Sequence, residues 1–232
     1  MKRFYKQASA RPIEGGWEIL LDDRAVKTPA RHPLVVPSEA VAGAIAAEWD
    51  AQGEKVDPRS MPLTGLANAA IDRVATDREA FARGLSSYGE SDLLCYRADH
   101  PNALVERQVE HWDPILAWAR RRFDVDFEIV CGIIHKAQHE MTLKQLRQAV
   151  SVLDPFELAG LAPLVTISGS LVIALALAED AVDLNRAWEA ATVDEAFQTE
   201  QWGEDAEAAA ALENRRRDFE AGYRFLTLLR PR

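Results

Sequence analysis

Two histidines four residues apart are the first place where the sequence could support catalysis. His135 and His139 bound the segment HKAQH, and Glu140 follows directly. Histidines at positions i and i+4 can share one helix face and bind a metal ion, which would make the protein a metal-dependent hydrolase. Gln138 stands where the related protease pattern has a glutamate, and a carboxamide cannot take a proton from metal-bound water. The segment therefore favours two solvated histidines near a helix start, and the hydrolase is the alternative function.

The segment ISGSLV, residues 167–172, is a turn of small residues that leads into an apolar helix. It lacks the G-x-S-x-G pattern that presents a nucleophilic serine, and the glycine patterns that bind nucleotide phosphates do not occur in the chain. The amides of such a turn can bind an anion, but close packing against a neighbouring helix explains small residues equally well. We therefore predict no catalytic residue, no metal and no cofactor.

Aromatic and amide side chains beside carboxylates are more frequent than catalytic motifs. They occur in three segments, at residues 48–52, 108–114 and 194–203. Exposed aromatic groups supply affinity at protein interfaces, and carboxylates steer basic partners, so these segments suit recognition.

Each of the strongest candidates in these segments also has a structural interpretation. Trp49 continues a stripe with Val41 and Ile45 and is either core or contact. Glu195 follows Thr192 by three residues, the spacing of a capping box, and is either a cap or a contact. Asp194 has no expected structural role beyond a favourable interaction with the helix dipole, so of these residues it is the one for which a functional role is favoured most.

The composition excludes some partners and places the protein in a class. The chain has 232 residues with 27 Lys and Arg against 37 Asp and Glu, so its net charge of −10 makes nucleic acid a poor partner. Its two cysteines, Cys95 and Cys131, lie in apolar runs, which predicts buried thiols in a reducing, intracellular compartment.

One uncharged run has the length of a membrane-spanning helix. Leu158–Ala178 contains 21 residues without a charge. Pro163 and the small residues 168–170 interrupt the run, and no Lys or Arg flanks it. We therefore predict no membrane insertion, and a fully buried central helix from about Ser168.

The order of periodic segments predicts an α+β protein. Short strands are expected at 3–7, 17–21, 24–27 and 33–36, followed by helices from Ser38 to Trp49 and over 63–74 and 77–87, and by a strand at 93–97 that returns to the sheet. Helices are expected over 103–122, interrupted at Pro114, and over 142–153, 155–161, 168–179, 183–191 and 205–229. We predict a strand-rich α+β domain over residues 1–100 and an all-helical domain over residues 101–232.

Eight motifs, taken in order, resemble a known family of chaperones. They are RFYK (3–6), LDDRAVKTP (21–29), EWDAQ (48–52), MPLTGLANAAID (61–72), DLLCYRA (92–98), the run from Gln108 through WDPILAWA (112–119), SGSLVIALALA (168–178) and DEAFQTEQWG (194–203). Together they span nearly the whole chain and resemble the assembly chaperone for the α subunit of the ATP synthase catalytic head.

The resemblance implies a function by binding alone. In that family the protein binds the free α subunit, prevents its aggregation and hands it over to the β subunit. The family ties function to positions that correspond here to Trp49, Asp194 and Glu195, and we extend the predicted partner-binding set to three further residues of the last motif, Phe197, Gln198 and Trp202.

The resemblance also implies a location. Mitochondrial members begin with a targeting extension, and this chain begins without one. We therefore expect a bacterial homologue that works in the cytoplasm, or a protein of the mitochondrial matrix if the chain is a mature eukaryotic form.

Overall fold

The structure, a computed structural model, describes residues 2–132, 134–203 and 205–230. Its Cα positions group into two compact units. The first contains the segment up to Arg78, Asp154–Gly160 and the segment from Arg224, and the second contains Glu79–Leu153 and Leu161–Tyr223. Strands are concentrated in the N-terminal region and the remainder is mostly helical, so the predicted α+β class is confirmed. A domain boundary at residue 100 stays a prediction, because grouping by proximity does not show which segments fold on their own.

A four-stranded sheet forms one side of the first unit. It consists of β1 (Ala8–Ile13), β2 (Gly16–Leu21), β3 (Arg24–Ala25) and β4 (Val35–Val36). β2 is central: it pairs antiparallel with β1 along its whole length, and β3 and β4 share its other edge. The predicted first strand at 3–7 is wrong, because the carbonyls of Tyr5 and Lys6 accept hydrogen bonds from the Arg3 guanidinium rather than from a neighbouring strand.

The turn between β1 and β2 requires glycine for two different reasons. Gly15 has a φ of 89°, a left-handed conformation with open space around it. Gly16 has a φ of 148°, and a Cβ atom there would lie 2.5 Å from the carbonyl oxygen of Val36. The close approach of β4 to β2 therefore depends on the missing side chain at Gly16.

Helices α1 (Glu39–Asp50) and α2 (Pro62–Ala69) pack on this sheet, and α2 continues as a π-helical turn over Ala70–Val74. Ser38 precedes α1 as predicted, but its hydroxyl donates to the Leu228 carbonyl at 2.7 Å instead of capping the helix. The core residues of this unit are all apolar and almost fully buried: Ile19, Leu34, Val36, Val41, Ala42, Ile45, Leu63, Ala67 and Phe225.

Asp72 joins the loop before β4 to the π-helical turn. It accepts hydrogen bonds from the Thr28 hydroxyl at 2.6 Å and from the Ala30 amide at 3.0 Å, and His32 Nδ1 lies 2.9 Å from its Oδ1. Partial burial alone would raise the pKa of Asp72, but these three hydrogen bonds outweigh it and lower the pKa below its ordinary value of 3.8. The carboxylate thus connects two of the motifs found in the sequence.

The lowered pKa of Asp72 predicts a loss of stability in acid. Since the folded pKa lies below the unfolded one, the stabilisation is fully present above about pH 4 and disappears as the pH falls through the folded pKa. Thermal melts between about pH 6 and about pH 3 should show a steeper acid decline for wild type than for Asp72→Asn. Asp23→Asn, at an exposed loop position, is the control and should follow wild type. Equal slopes for wild type and Asp72→Asn would contradict the assignment.

The second unit is built from helices. They are α3 (Arg78–Ser86), α4 (Asn102–Phe123), α5 (Glu140–Ser151), most of α6 (Pro155–Ser168), α7 (Leu171–Ala178), α8 (Leu184–Ala191), α9 (Val193–Trp202) and the larger part of α10 (Ala206–Leu229). The predicted interruption of α4 at Pro114 is wrong, because the helix runs through the proline with Trp112, Leu116 and Ala119 buried along its inner side.

The segment LLCYR does not return to the N-terminal sheet as predicted. Leu93–Cys95 forms a 3-10 turn, and β5 (Tyr96–Arg97) pairs in parallel with β6 (Val130–Cys131) as a separate two-stranded sheet. The reason is that the Asp92 carboxylate accepts the Leu94 amide and holds the first residues in a helical turn. Cys95 is buried as predicted, but Cys131 is exposed.

The 21-residue uncharged run is divided between two helices. α6 ends at Ser168, a short turn follows, and α7 starts at Leu171. All residues from Leu171 to Leu177 are buried, and α7 contacts α4 and α8. Among the described residues, no helix combines the length and the apolar character needed to cross a membrane.

Candidate partner-binding site

The two histidines of HKAQH do not share a helix face. The segment precedes α5, which begins only at Glu140, so the helical pairing that the hydrolase alternative requires is absent. Both histidines are exposed, in agreement with the favoured interpretation of two solvated histidines near a helix start. His135 Nδ1 lies 2.9 Å from the Tyr96 hydroxyl, and His139 Nε2 lies 3.0 Å from Glu128 Oε1. Within the described ranges, no three His, Cys, Asp or Glu side chains come close enough to hold a metal ion.

The turn before α7 binds a carboxylate of the same chain, that of Asp92. Asp92, which is fully buried, accepts hydrogen bonds from the Ser170 hydroxyl at 2.6 Å and the Val172 amide at 3.0 Å. Its Oδ1 also accepts the Leu94 amide at 3.1 Å. Burial raises the pKa of Asp92 to about 6 although these hydrogen bonds lower it. Asp92 opens the DLLCYRA motif, but no local spacing indicated this role; the signal for it was the anion-binding character of the turn before α7.

The polar side chains of the EWDAQ segment form hydrogen bonds within the protein. Glu48 accepts the amides of Leu63 and Thr64 at 2.8 Å each and thereby caps the start of α2. Gln52 donates to the Glu48 carbonyl and accepts the Asp57 amide. The polar residues around Trp49 thus hold the end of α1 to the following loop and helix.

Trp49 itself packs inside the first unit. It is partly buried against the core, and its carbonyl accepts the Tyr5 hydroxyl at 2.6 Å, with the two rings edge to face at 5.8 Å. Its indole Nε1 is buried and is one of two buried side-chain atoms without a hydrogen-bond partner among the described residues. A contact of Trp49 with a partner protein stays a prediction.

In the second recognition candidate, residues 108–114, Gln108 and Trp112 are buried, whereas Asp113 is exposed. Trp112 is almost fully buried and donates its indole N–H to the Ala190 carbonyl at 2.7 Å. Asp113 accepts the buried Arg97 guanidinium at 2.7 Å. Gln108 accepts the Ala98 amide and donates to Asp194 Oδ1, each at 2.8 Å.

The third candidate, α9, is fixed to α4 by two consecutive residues. Gln108 holds Asp194 at the start of α9, and Arg107 binds both carboxylate oxygens of Glu200, at 2.8 and 2.6 Å, near its end. The Arg107 guanidinium also lies 5.4 Å from the centre of the Phe197 ring, and Phe197 is buried. These contacts make α9 a firmly held helix, and they occupy Asp194 and Phe197.

The predicted capping box at the start of α9 is wrong. The Thr192 hydroxyl donates to the Trp188 carbonyl, because α8 ends immediately before α9 and its last carbonyls are close. The Glu195 carboxylate pairs instead with Arg215 of α10 at 3.3 Å. Both residues therefore have a partner within the chain and both are half-buried: Asp194 is held by Gln108 and Glu195 by Arg215.

Three of the predicted site residues share an exposed helix face. Glu195, Gln198 and Trp202 stand three and four residues apart, so they follow one side of α9. Gln198 is exposed, the Glu195 side chain is 44% exposed, and Trp202 is 81% exposed. We name these three residues the α9 face. It is the part of the predicted site that is presented to solvent.

Comparisons with known proteins define the class of protein. The model of the family described as ATP12 chaperone protein matches residues 2–120, slightly more than half of the chain. The protein is therefore a chaperone, a class that acts by binding. The chain belongs to the ATP12 chaperone family.

Solved structures and a curated relative agree with this assignment. The crystal structure of Atp12 from Paracoccus denitrificans is 44% identical with a TM-score of 0.94, over 99% of this chain and 98% of that chain. A protein of Agrobacterium tumefaciens is 41% identical with a TM-score of 0.95, over 99% of this chain and 86% of its own. Mitochondrial atp12 of Schizosaccharomyces pombe is 26% identical over 219 residues, 88% of this chain and 75% of the relative.

Proposed function

We propose that this chaperone binds the unassembled α subunit of the ATP synthase catalytic head, prevents its aggregation and hands it over to the β subunit. Membership of the ATP12 chaperone family supports the general role. The single observation that carries the proposed site is the α9 face, where Trp202 is 81% exposed at the end of a firmly held helix and Glu195 lies on the same side. Trp49, Asp194 and Phe197 remain predicted contacts with the client.

An unassembled α subunit needs such a partner for a physical reason. Interfaces of permanent complexes bury about 2,000 Å² or more and are apolar at their centre, so a free subunit exposes surface that promotes aggregation. A chaperone that covers part of this surface must present apolar anchors in a rigid frame. The buried Phe197 and the Gln108–Asp194 hydrogen bond provide that frame for α9, and the half-exposed Arg107–Glu200 ion pair adds to it.

Release of the client follows from competition. The exposed groups of the α9 face are separate side chains, and such contacts can be exchanged one at a time. The β subunit would displace the chaperone by offering a larger complementary surface. We place this reaction in the bacterial cytoplasm, or in the mitochondrial matrix for a mature eukaryotic form.

Replacing Trp202 by alanine is expected to weaken binding of the purified α subunit by roughly 30-fold, because an exposed tryptophan anchor typically contributes about 2 kcal/mol. The melting temperature should stay unchanged, since 81% of Trp202 is already exposed. The measurement is the dissociation constant for α, together with light scattering of α during refolding. Wild type should suppress the scattering, and the variant should need a higher concentration.

Val152→Ala is the matched control, because Val152 lies in the same unit and is 71% exposed at the end of α5. This variant should bind α like wild type. Equal binding by Trp202→Ala and wild type would remove the α9 face from the proposal. If wild type itself neither captures α nor prevents its aggregation, the proposed client is wrong.

A further inference from the structure

A groove lies between α9 and the first half of α10 in the second unit. Its cavity has a volume of about 480 Å³, within the range of sites that hold a ligand or several side chains. Glu195 and Thr199 of α9 form one side, Trp188 closes one end, and residues of α10 between 208 and 216 form the other side. The groove borders the α9 face, with which it shares Glu195.

The floor of the groove is apolar and consists of small side chains. Ala208, Ala209, Ala211 and Leu212 line it, and none of the described residues of α10 before Phe219 is buried. Trp188 is buried and its ring lies 5.6 Å from that of Phe219, so this wall is fixed. Because this apolar helix surface is largely exposed, packing another apolar segment on it would be favourable.

The two arginines that line the groove already have partners within the chain. Arg215 is bound on two sides, by Glu195 at 3.3 Å and by the Ile167 carbonyl at 3.1 Å. Arg216 is directed to Glu220 at 2.9 Å and to Asn185 at 3.4 Å. Both arginines that line the groove are therefore neutralised or held by the chain itself.

The carboxylates of the groove keep free acceptor capacity. Glu195 contacts Arg215 through Oε1 only, so its second oxygen is available. Glu213 is 3.7 Å from Arg217, a long and exposed ion pair on the next turn of the helix. Asp205 uses one oxygen for the Ala208 amide at the start of α10. The lining holds three carboxylates against two arginines, so a basic group that enters the groove would meet one net negative charge together with the free oxygens of Glu195, Glu213 and Asp205.

We propose that this groove binds a segment of the client protein in which one Lys or Arg side chain is flanked by small or apolar residues. The basic group reaches between Glu195 and Glu213, and the apolar neighbours pack on the alanine floor of α10. This inference rests on the proposed function and names the chemistry of the client segment. It adds to the α9 face a second element, α10, which carries none of the predicted partner-binding residues.

Filling the groove tests the apolar contact. Ala211→Phe places a ring in the groove at an exposed helix position, and we expect at least a tenfold weaker binding of the purified α subunit with an unchanged melting temperature. Ala210→Phe is the matched control, because Ala210 is the neighbouring exposed alanine and does not line the groove. It should bind within twofold of wild type, a difference of about 0.4 kcal/mol or less.

Reversing one charge tests the basic group of the client. Glu213→Lys should weaken α binding about tenfold or more and flatten its salt dependence, since one attractive charge becomes repulsive. Glu207→Lys is the control at an exposed position of α10 outside the groove and makes the same change in net charge. A photo-crosslinker at residue 211 should label an α-subunit peptide that contains Lys or Arg near the crosslink.

The outcomes separate this inference from the proposed function. If wild type captures α but the groove variants bind like their controls, the groove is not the site and the proposed function stands. If each control weakens binding as much as its groove variant, or the crosslinked peptide has no basic residue, the inference is also overturned. Failure of wild type to capture α would overturn the proposed function itself.

Discussion

Replacing Asp92 by alanine is expected to lower the melting temperature by roughly 6–12 °C. The substitution leaves the Ser170 hydroxyl and the amides of Leu94 and Val172 without their acceptor in a fully buried place. Buried donors without a partner cost about 1–3 kcal/mol each, and removal of the buried charge offsets part of this, so we expect a net loss of about 3 kcal/mol. For a chain of this size, each kcal/mol corresponds to about 2–4 °C.

Thermal melts of wild type, Asp92→Ala and the control Glu90→Ala give the test. Glu90 is an exposed carboxylate two residues away, and a surface substitution of this kind changes stability by no more than about 0.5 kcal/mol. An Asp92→Ala protein that melts within about 2 °C of wild type would contradict the role of the carboxylate as the shared cap of the 3-10 turn and α7.

The pH dependence provides a second readout for the same residue. Burial raises the folded pKa of Asp92 to about 6, above its ordinary value of 3.8, so between these values the folded state binds more protons than the unfolded state. The contribution of this residue to stability therefore increases as the pH falls from about 6 towards about 4, the direction opposite to that of Asp72. Asp92→Ala should lack this gain, and Glu90→Ala should retain it.

The second large effect is expected at Glu195. Glu195→Lys should reduce capture of the α subunit by roughly 30-fold or more, because a contact that attracts a basic client group becomes repulsive beside Arg215. The ion pair is partly exposed, with 44% of the Glu195 and 41% of the Arg215 side chain accessible, and such pairs contribute at most about 1 kcal/mol to stability. Circular dichroism should therefore show a folded variant.

A charge swap separates client contact from positioning. In the double variant Glu195→Lys with Arg215→Glu, the ion pair between α9 and α10 can form again with reversed charges, although the hydrogen bond from Arg215 to the Ile167 carbonyl is lost. If Glu195 contacts the client, the swap raises the melting temperature above that of Arg215→Glu alone but does not recover α binding. Recovery of binding as well would show that Glu195 acts by positioning α10, and this result would contradict the proposed contact.

Asp194 is not a suitable probe for the same question. Its carboxylate accepts from Gln108, which is itself buried and holds the Ala98 amide. Asp194→Lys would break this chain of hydrogen bonds, so a loss of binding would accompany a loss of stability. The expectation that Asp194 has no structural role beyond an interaction with the helix dipole is therefore wrong.

The sequence by itself determined the features that depend on neighbours along the chain. Helices beginning at 155, 183 and 205 are predicted, and in the structure the carboxylates of Asp154, Asp183 and Asp205 accept amides two or three residues ahead. The order of eight motifs likewise indicates the family, since a motif is a property of the chain and not of its packing. The apolar run of α7 predicts burial because no polar residue interrupts it.

Only the tertiary structure decided which distant groups become partners. Asp92 and Ser170 are 78 residues apart, and Gln108 and Asp194 are 86 apart, so no local spacing relates them. Thr192 and Glu195 have the spacing of a capping box, yet the end of α8 takes the hydroxyl and Arg215 takes the carboxylate. A side chain near a helix end has several partners of similar energy, and the packing of other helices determines which of them it meets. That choice leaves Trp202 exposed and Glu195 half-exposed on one face of α9, holds Asp194 against Gln108 and buries Phe197.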